Sequence, residues 1–190
     1  MNNLTDHSII DKILSGNSYA YSVLVNRYKN RVFTLAQNIL LNKEDAEEVA
    51  QDAFVKAFSA LNNFKKQSAF GTWLYRITIN TALNKKKQRK LFTVDITSED
   101  SDDEPAEFDS LLQHYENKDL GKFIQLAMQS LKDDERICIT LFYLNELQVN
   151  EIHELTGITV ANIKVILYRG RKHLYEALQS QLKYETKNLR

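Results

Sequence analysis

The sequence predicts an all-α protein of two small helical domains joined by an acidic flexible linker, and three observations carry that expectation. Its 190 residues include only five Gly and one Pro, and a chain so poor in turn-formers and helix-breakers leans helical. Apolar residues recur at three- and four-residue spacing over long stretches, the period of a helix buried along one face. One acidic run, containing the sole proline Pro105, interrupts them. Such a run buries little and repels itself, so it reads as a solvated linker. The expected boundaries are residues 1–92 for the first domain, 93–111 for the linker and 112–190 for the second.

In the first domain, Thr5 or Asp6 can cap a short helix ending near Ser15 and Gly16. A longer helix follows from about Ser18, with Tyr21, Leu24, Val25, Tyr28, Val32, Leu35 and Ile39 at helical spacing. Asn42 is placed to cap a third helix, and Glu44 and Asp45 suit its positive end. That helix carries Ala46, Val49, Ala50, Ala53, Phe54, Ala57 and Leu61 as its apolar stripe. A polar loop from Asn62 to Ser68 leads to a fourth helix, from about Ala69 into a basic tail at Lys90.

In the second domain one helix ends near Leu131 and another spans Asp133 to Asn145. A short helix marked by Val149, Ile152 and Leu155 then meets a tight turn at Thr156-Gly157-Ile158, where Gly suits a left-handed backbone. A long helix follows, marked by Val160, Ile163, Leu167, Leu174 and Leu178. A short helix, a Gly turn and a basic second helix form the helix-turn-helix pattern.

Formal net charge is zero, yet the signs are segregated. From Ala60 to Val94 there are Lys65, Lys66, Arg76, Lys85, Lys86, Lys87, Arg89 and Lys90 and no acid; from Asp95 to Asp109 there are eight acids and no Lys or Arg. Ile158 to Leu174 is again basic, with Lys164, Arg169, Arg171 and Lys172. Two basic blocks flanking an acidic spacer point to a nucleic-acid partner. Single Cys138, in an apolar stretch, is expected as a buried thiol. No apolar run approaches the length needed to span a bilayer and no signal-peptide pattern opens the chain, so a cytoplasmic protein without membrane insertion is expected. No phosphate loop, metal-ligand spacing or nucleophile–base motif stands out, and the expectation is a non-enzyme without metal or cofactor.

The chemistry of the basic helices is more specific. On the last helix, Val160, Ile163, Leu167 and Leu174 cluster on one side, with Ala161, Val165, Arg169 and Lys172 opposite and Asn162 and Tyr168 flanking. Small apolar groups, amides and cations on an exposed face suit thymine methyls, base edges and phosphates of a major groove. On the fourth helix, Arg76, Asn80, Asn84 and Lys87 form a stripe beside Trp73 and Ile77, preceded by Phe64, Lys65, Lys66, Gln67, Ser68 and Phe70. Aromatics interleaved with cations and amides suit single-stranded nucleic acid, whose unstacked bases lie on rings. For each ring taken alone core packing is the simpler role, and Trp73 is expected to be mostly buried.

Both domains resemble one family. The run from Ala46 to Ala57 (Ala-Glu-Glu-Val-Ala-Gln-Asp-Ala-Phe-Val-Lys-Ala), followed by Phe70-Gly71-Thr72-Trp73-Leu74-Tyr75-Arg76-Ile77 and Asn80, resembles the second conserved region of bacterial sigma factors. Leu131 to Leu174, with Glu151-Ile152, Gly157-Ile158, Ile163-Lys164 and Arg169-Gly170-Arg171, resembles their fourth region. Two such regions joined by an acidic linker resemble the extracytoplasmic-function (ECF) subfamily. The resemblance implies a protein that binds core RNA polymerase, at the β′ clamp helices and β flap, and directs it to promoter DNA, with an anti-sigma factor as a further partner. It implies that Asp45, Glu48, Gln51, Asp52 and Val55 dock on polymerase. It further implies that Lys56, Phe64, Ser68, Phe70, Trp73, Arg76, Asn80 and Asn84 take up the melted non-template strand of the −10 element. Asn162, Lys164, Val165, Tyr168, Arg169, Arg171 and Lys172 would contact the −35 duplex, although the helical wheel sets Lys164 and Arg171 nearer the packed side. His153 stands where a small residue is usual, Ile166 where an Arg phosphate contact is common, and Asn162 and Val165 where Thr and Ser are commoner. The alternative is a stand-alone helix-turn-helix regulator, which leaves the third helix and the loop aromatics without a role.

Overall fold

The structure, a computed structural model, describes residues 4–90 and 117–188, and these form eight α-helices with no strand among them. The expected acidic linker, 93–111, lies outside the described residues. Helix α1 (Asp6–Leu14) begins where the Thr5 hydroxyl accepts from the Ser8 N–H at 3.3 Å, and it buries Ile9, Ile10 and Ile13. After a single 3-10 turn, α2 (Tyr21–Leu40) ends at Leu41, whose left-handed backbone (φ 54°) closes the helix through its N–H to the Gln37 carbonyl. Asn42 caps α3 (Lys43–Ser59) by accepting from the Asp45 N–H at 2.8 Å. Its alanines 46, 50, 53 and 57 are buried, which lets the α3 backbone pack closely on α2 and on α4 (Phe70–Lys90).

The start of α4 is fixed by a close approach. A Cβ on Gly71 would stand 2.8 Å from Cε1 of Tyr28, below any normal contact. The Tyr28 ring lies edge-on to Phe70 (centroids 5.5 Å) and to Tyr75 (6.2 Å), and its hydroxyl donates to Asp6. Glycine at 71 therefore lets the first turn of α4 rest on α2.

The second unit contains α5 (Asn117–Ser130), α6 (Asp133–Ile139), α7 (Val149–Thr156) and α8 (Val160–Asn188). The sequence pattern joins residues 133–145 into one helix. The structure follows α-geometry to Ile139 and then takes one π-turn, Thr140–Leu144, closed by the Asn145 N–H to the Thr140 carbonyl at 3.0 Å. The wider turn fits one extra residue per loop, a detail that hydrophobic spacing does not encode. Cys138, Ile139, Leu141, Ile152, Ile163, Leu167 and Leu174 form the core of this unit. Burial pushes the Cys138 thiol up to about 12. Glu135, almost fully buried, accepts from the Lys132 N–H at the start of α6 and from His173 Nδ1 at 2.9 Å, tying α8 to α6.

The two units touch along α2, α4, α6, the π-turn and α7. Arg136, 2% exposed, donates to the Asn38 and Leu131 carbonyls and to Asp133. Asn38 Nδ2 donates to Thr140 Oγ1 at 2.9 Å.

Candidate nucleic-acid interface

The helix-turn-helix is built by local hydrogen bonds. Gly157 ends α7 at φ 75°, a value an L side chain rarely adopts, and its N–H reaches the His153 carbonyl at 2.8 Å. His153 Nδ1 lies 2.7 Å from the Ile158 carbonyl, so this exposed ring pins the turn it flanks. Thr159 caps α8 by accepting from the Asn162 N–H at 3.3 Å. Ile163, Ile166 and Leu167 are buried, which fixes the roll of α8 and turns Ala161, Asn162, Lys164 and Val165 outward.

This roll corrects two expectations. Lys164 is exposed and turned outward, whereas Arg171, although exposed, lies against the packed side as expected, bordering Ile139 and Leu174 with its Nη1 donating to the Tyr143 hydroxyl at 3.3 Å. Ile166 is a core residue, 4% exposed, so its position does not face a phosphate. Tyr168, Arg169 and Lys172 are half-buried on the same stretch. The α8 surface thus runs from Ala161 to Lys172 as a mixed apolar, amide and cationic face.

On the first unit the structure divides the predicted strand-binding set. Phe70 is fully buried and Phe64 is 7% exposed. Their rings pack edge-on at 5.9 Å, and each meets Trp73, at 5.1 Å from Phe64 and 5.7 Å from Phe70. Phe64 and Phe70 therefore pack as core beneath Trp73, the simpler role expected of each ring taken alone. Trp73 is mostly buried, as expected, and offers only its outer part to solvent. Ser68 is half-buried beside it, while Arg76, Asn80 and Asn84 are exposed along α4. Lys56 reaches across from α3 to Thr81 Oγ1 at 3.2 Å. In the loop, Lys66 is paired with Asp11, which removes one cation from the surface that composition suggested.

The third predicted set lies on α3. Lys85 of α4 bridges it, 2.7 Å from both Glu48 oxygens and 3.9 Å from Asp45. Gln51 and Asp52 are exposed, and Val55 is 65% exposed. Val55 borders an open groove with Tyr19, Tyr21, Val25, Phe54 and Phe58. The sequence did not single out Tyr19 or Phe58, although both stay exposed, at 89% and 44%. Their signal was available: two aromatics off the apolar stripes of their helices.

Sequence reasoning also missed Arg31, Asn38 and Thr72. Arg31 Nη2 donates to Glu146 at 2.9 Å, and Thr72 Oγ1 donates to Glu151 at 3.1 Å. Arg76 Nη2 donates to the Glu154 carbonyl at 3.1 Å, so a predicted strand contact already touches α7. Partners separated by 78 or more residues leave no local trace in sequence. Among the described residues no helix is long and apolar enough to cross a membrane, and no His, Cys, Asp and Glu group could hold a metal ion.

Residues 24–91 match the sigma-70 region 2 family, and residues 124–174 match sigma-70 region 4. The chain is 31% identical over 187 residues to the RNA polymerase sigma-H factor of Pseudomonas aeruginosa, a likeness covering 94% of this chain and 96% of that protein. It is 30% identical over 185 residues to the ECF RNA polymerase sigma-E factor of Escherichia coli, covering 93% and 95%. In fold it is similar to the sigma factor RpoE of Bartonella quintana, solved in complex with the anti-sigma factor NepR. That likeness has a TM-score of 0.66 at 22% identity and covers 84% of this chain and 96% of that one.

Proposed function

The chain belongs to the sigma-70 family as an ECF-type RNA polymerase sigma factor, and on that premise we propose how its surfaces divide the work of initiation. The exposed side of α3, with Asp45, Glu48, Gln51, Asp52 and Val55, docks on the β′ clamp helices of core polymerase. The α8 face, with Asn162, Lys164, Val165, Tyr168, Arg169, Arg171 and Lys172, reads the −35 element as duplex, and the second unit also meets the β flap. The α4 surface, with Lys56, Phe64, Ser68, Phe70, Trp73, Arg76, Asn80 and Asn84, takes up the non-template strand of the −10 element, Phe64 and Phe70 from beneath Trp73. Residues 1–92 and 112–190 act as the two gripping units. The protein works in the cytoplasm, where polymerase and promoters are, and directs initiation without catalysing a reaction.

The observation that carries this division is the difference between the two surfaces. The α8 face is a protruding helix side suited to a groove. The α4 surface instead holds a mostly buried indole on two buried rings, followed by a stripe of Arg and Asn. Each base stacked on a ring contributes ~1–3 kcal/mol, comparable with the roughly 1.4 kcal/mol mean cost of a base-pair step. A few captured bases therefore offset melting without ATP. An anti-sigma factor is extended to this chain from the Bartonella complex.

The test is run-off transcription with core RNA polymerase over a library of genomic fragments. Chain-dependent starts sharing paired upstream elements are expected, together with co-purification of chain and polymerase. Specific duplex binding by a dimer that ignores polymerase would instead support a stand-alone regulator.

A further inference from the structure

We propose that α1 presets the loop between α3 and α4, with Asp11 and His7 as positioning residues for −10 selectivity that act through Lys66 and Phe64. The selectivity half of this inference rests on the assignment of the α4 surface to the −10 strand; the preset loop does not. The loop has little of its own to hold it. Its backbone is bonded as far as Phe64, whose N–H reaches the Leu61 carbonyl at 3.1 Å. Among the described residues the next backbone bond is accepted by the Ala69 carbonyl, from the Trp73 N–H at 3.2 Å, so Lys65 to Ser68 cross the gap without one. Within that gap Lys66 takes a left-handed backbone, φ 57°. For a residue bearing a side chain that conformation is disfavoured about five- to thirtyfold. It needs support from outside the loop.

That support is α1. The helix is a fixed post: Ile9, Ile10 and Ile13 are buried, and Asp6 accepts from Arg27 and Tyr28 of α2. Its outer side carries His7 and Asp11, one turn apart and both exposed. Asp11 pairs with Lys66 Nζ, and the His7 ring meets the Phe64 ring at 6.2 Å between centroids. Phe64 is in turn the ring beneath Trp73, at 5.1 Å. The exposed Lys65 and Gln67 are thus held on either side of a fixed residue, close to the indole. A carboxylate beside a strand-binding loop is costly by charge alone, because it repels phosphates. Its use there is geometric. The pair is exposed, at 35% and 62% for the two side chains, and such a pair counts for up to about fivefold in an equilibrium. That is close to the lower end of the backbone cost, so the loop is held with little to spare.

The experiment uses the full chain, alone and with core polymerase, and the variants D11N, D11E, H7A, K66A and K66G. Trypsin cleavage after Lys65, followed by mass spectrometry, reads the loop without DNA, since cutting requires local opening. Run-off transcription from promoters with single-base changes in the −10 or −35 element reads selectivity, as the ratio of starts from matched and changed sites. D11N is expected to be cut about two- to fivefold faster and to lose about two- to fivefold in −10 selectivity, with −35 selectivity unchanged. H7A moves in the same direction, and D11E, which keeps the carboxylate, stays near the wild type. K66G, free to be left-handed, is expected to keep more −10 selectivity than K66A. Charge alone gives a different result for D11N, because losing an acid strengthens polyanion binding without altering sequence preference. Cleavage of D11N at the wild-type rate overturns the preset loop. Faster cleavage with −10 selectivity intact, or with −35 selectivity falling equally, overturns the positioning role. K66G no better than K66A overturns the backbone argument. A wild type without −10 preference removes the strand assignment and the positioning role with it, while cleavage still decides whether the loop is held.

Discussion

Replacing Gly71 with Ala tests whether the α4 surface proposed to bind the strand depends on the seat of α4 against α2. The new Cβ would lie 2.8 Å from Tyr28 Cε1 and 3.4 Å from Cζ and the hydroxyl. Relief requires the ring to move, and it is held on three sides, by Phe70, by Tyr75 and through its hydroxyl by Asp6. Overpacking of a held core site costs about 1–3 kcal/mol. For a chain of this size each kcal/mol corresponds to roughly 2–4 °C in Tm. A fall of about 2–12 °C is therefore expected in thermal melts followed by circular dichroism. Trp73, the chain's only tryptophan, lies two residues on and reports the same shift as a change in fluorescence maximum. Pairing G71A with Tyr28→Ala separates clash from propensity, because without the ring the alanine has nothing to strike. G71A is expected to cost much less in that background. Strictly additive losses, or a neutral G71A, would refute the close-approach argument.

Val165→Glu places a carboxylate on the exposed α8 face; promoter duplex binding in filter or mobility-shift assays should fall at least tenfold while Tm changes by less than about 2 °C. Buried Ile166→Arg should do the reverse and lower stability in urea titration by several kcal/mol, since it buries an unpaired charge. Burial raises the Asp133 carboxyl, but the Lys86 hydrogen bond and the charges of Lys86 and Arg136 outweigh it and hold the group below its ordinary 3.8. Its contribution is thus present above that value and lost as pH falls through the depressed one. The urea midpoint of the wild type should decline more steeply than that of D133N below about pH 4. Cys138, with its thiol pushed up to about 12, should ignore a disulfide reagent at about pH 8 until denaturant is added; reaction at the rate of a free thiol would place it at the surface.

Elements governed by neighbours in sequence were legible. Asn42 as a cap, Gly157 as a left-handed stop and the stripe Val49-Ala53-Ala57 all act within one or two helical turns. The alternation of charge along the chain was legible too, because it is a property of composition by segment. What escaped was set by three-dimensional context. Phe64 and Phe70 carry the same chemistry whether they face a base or a core, and only the ring cluster with Trp73 and Tyr28 decides. Ile166 and Lys164 differ by two positions on a helix, and a modest error in roll exchanges inside for outside. The π-turn at Thr140 shifts the register of the succeeding residues by one, with no glycine or proline to announce it. Contacts such as Arg31–Glu146 and Asn38–Thr140 join residues more than a hundred positions apart, and no periodicity carries them.

The distribution of polarity explains how one short chain can be both well folded and adjustable. Inside each unit the contacts are apolar and close: Ala46, Ala50 and Ala53 against α2 and α4, and Cys138, Ile163 and Leu167 around the helix-turn-helix. Such packing is lost only with the fold. Between the units the contacts are Arg136 on a carbonyl, paired charges and amides left partly unsatisfied. Contacts of this kind exchange with water at small net cost. A protein that must hold two DNA elements at a separation set by the promoter needs rigid reading surfaces and a compliant relation between them. Covalent continuity keeps the units at high mutual concentration, so even weak pairings can hold them together. Charge on the second unit is divided accordingly, with cations exposed along α8 and the acids Glu146, Asp133 and Glu151 against the first unit. Substitutions that alter one set should be separable from the other.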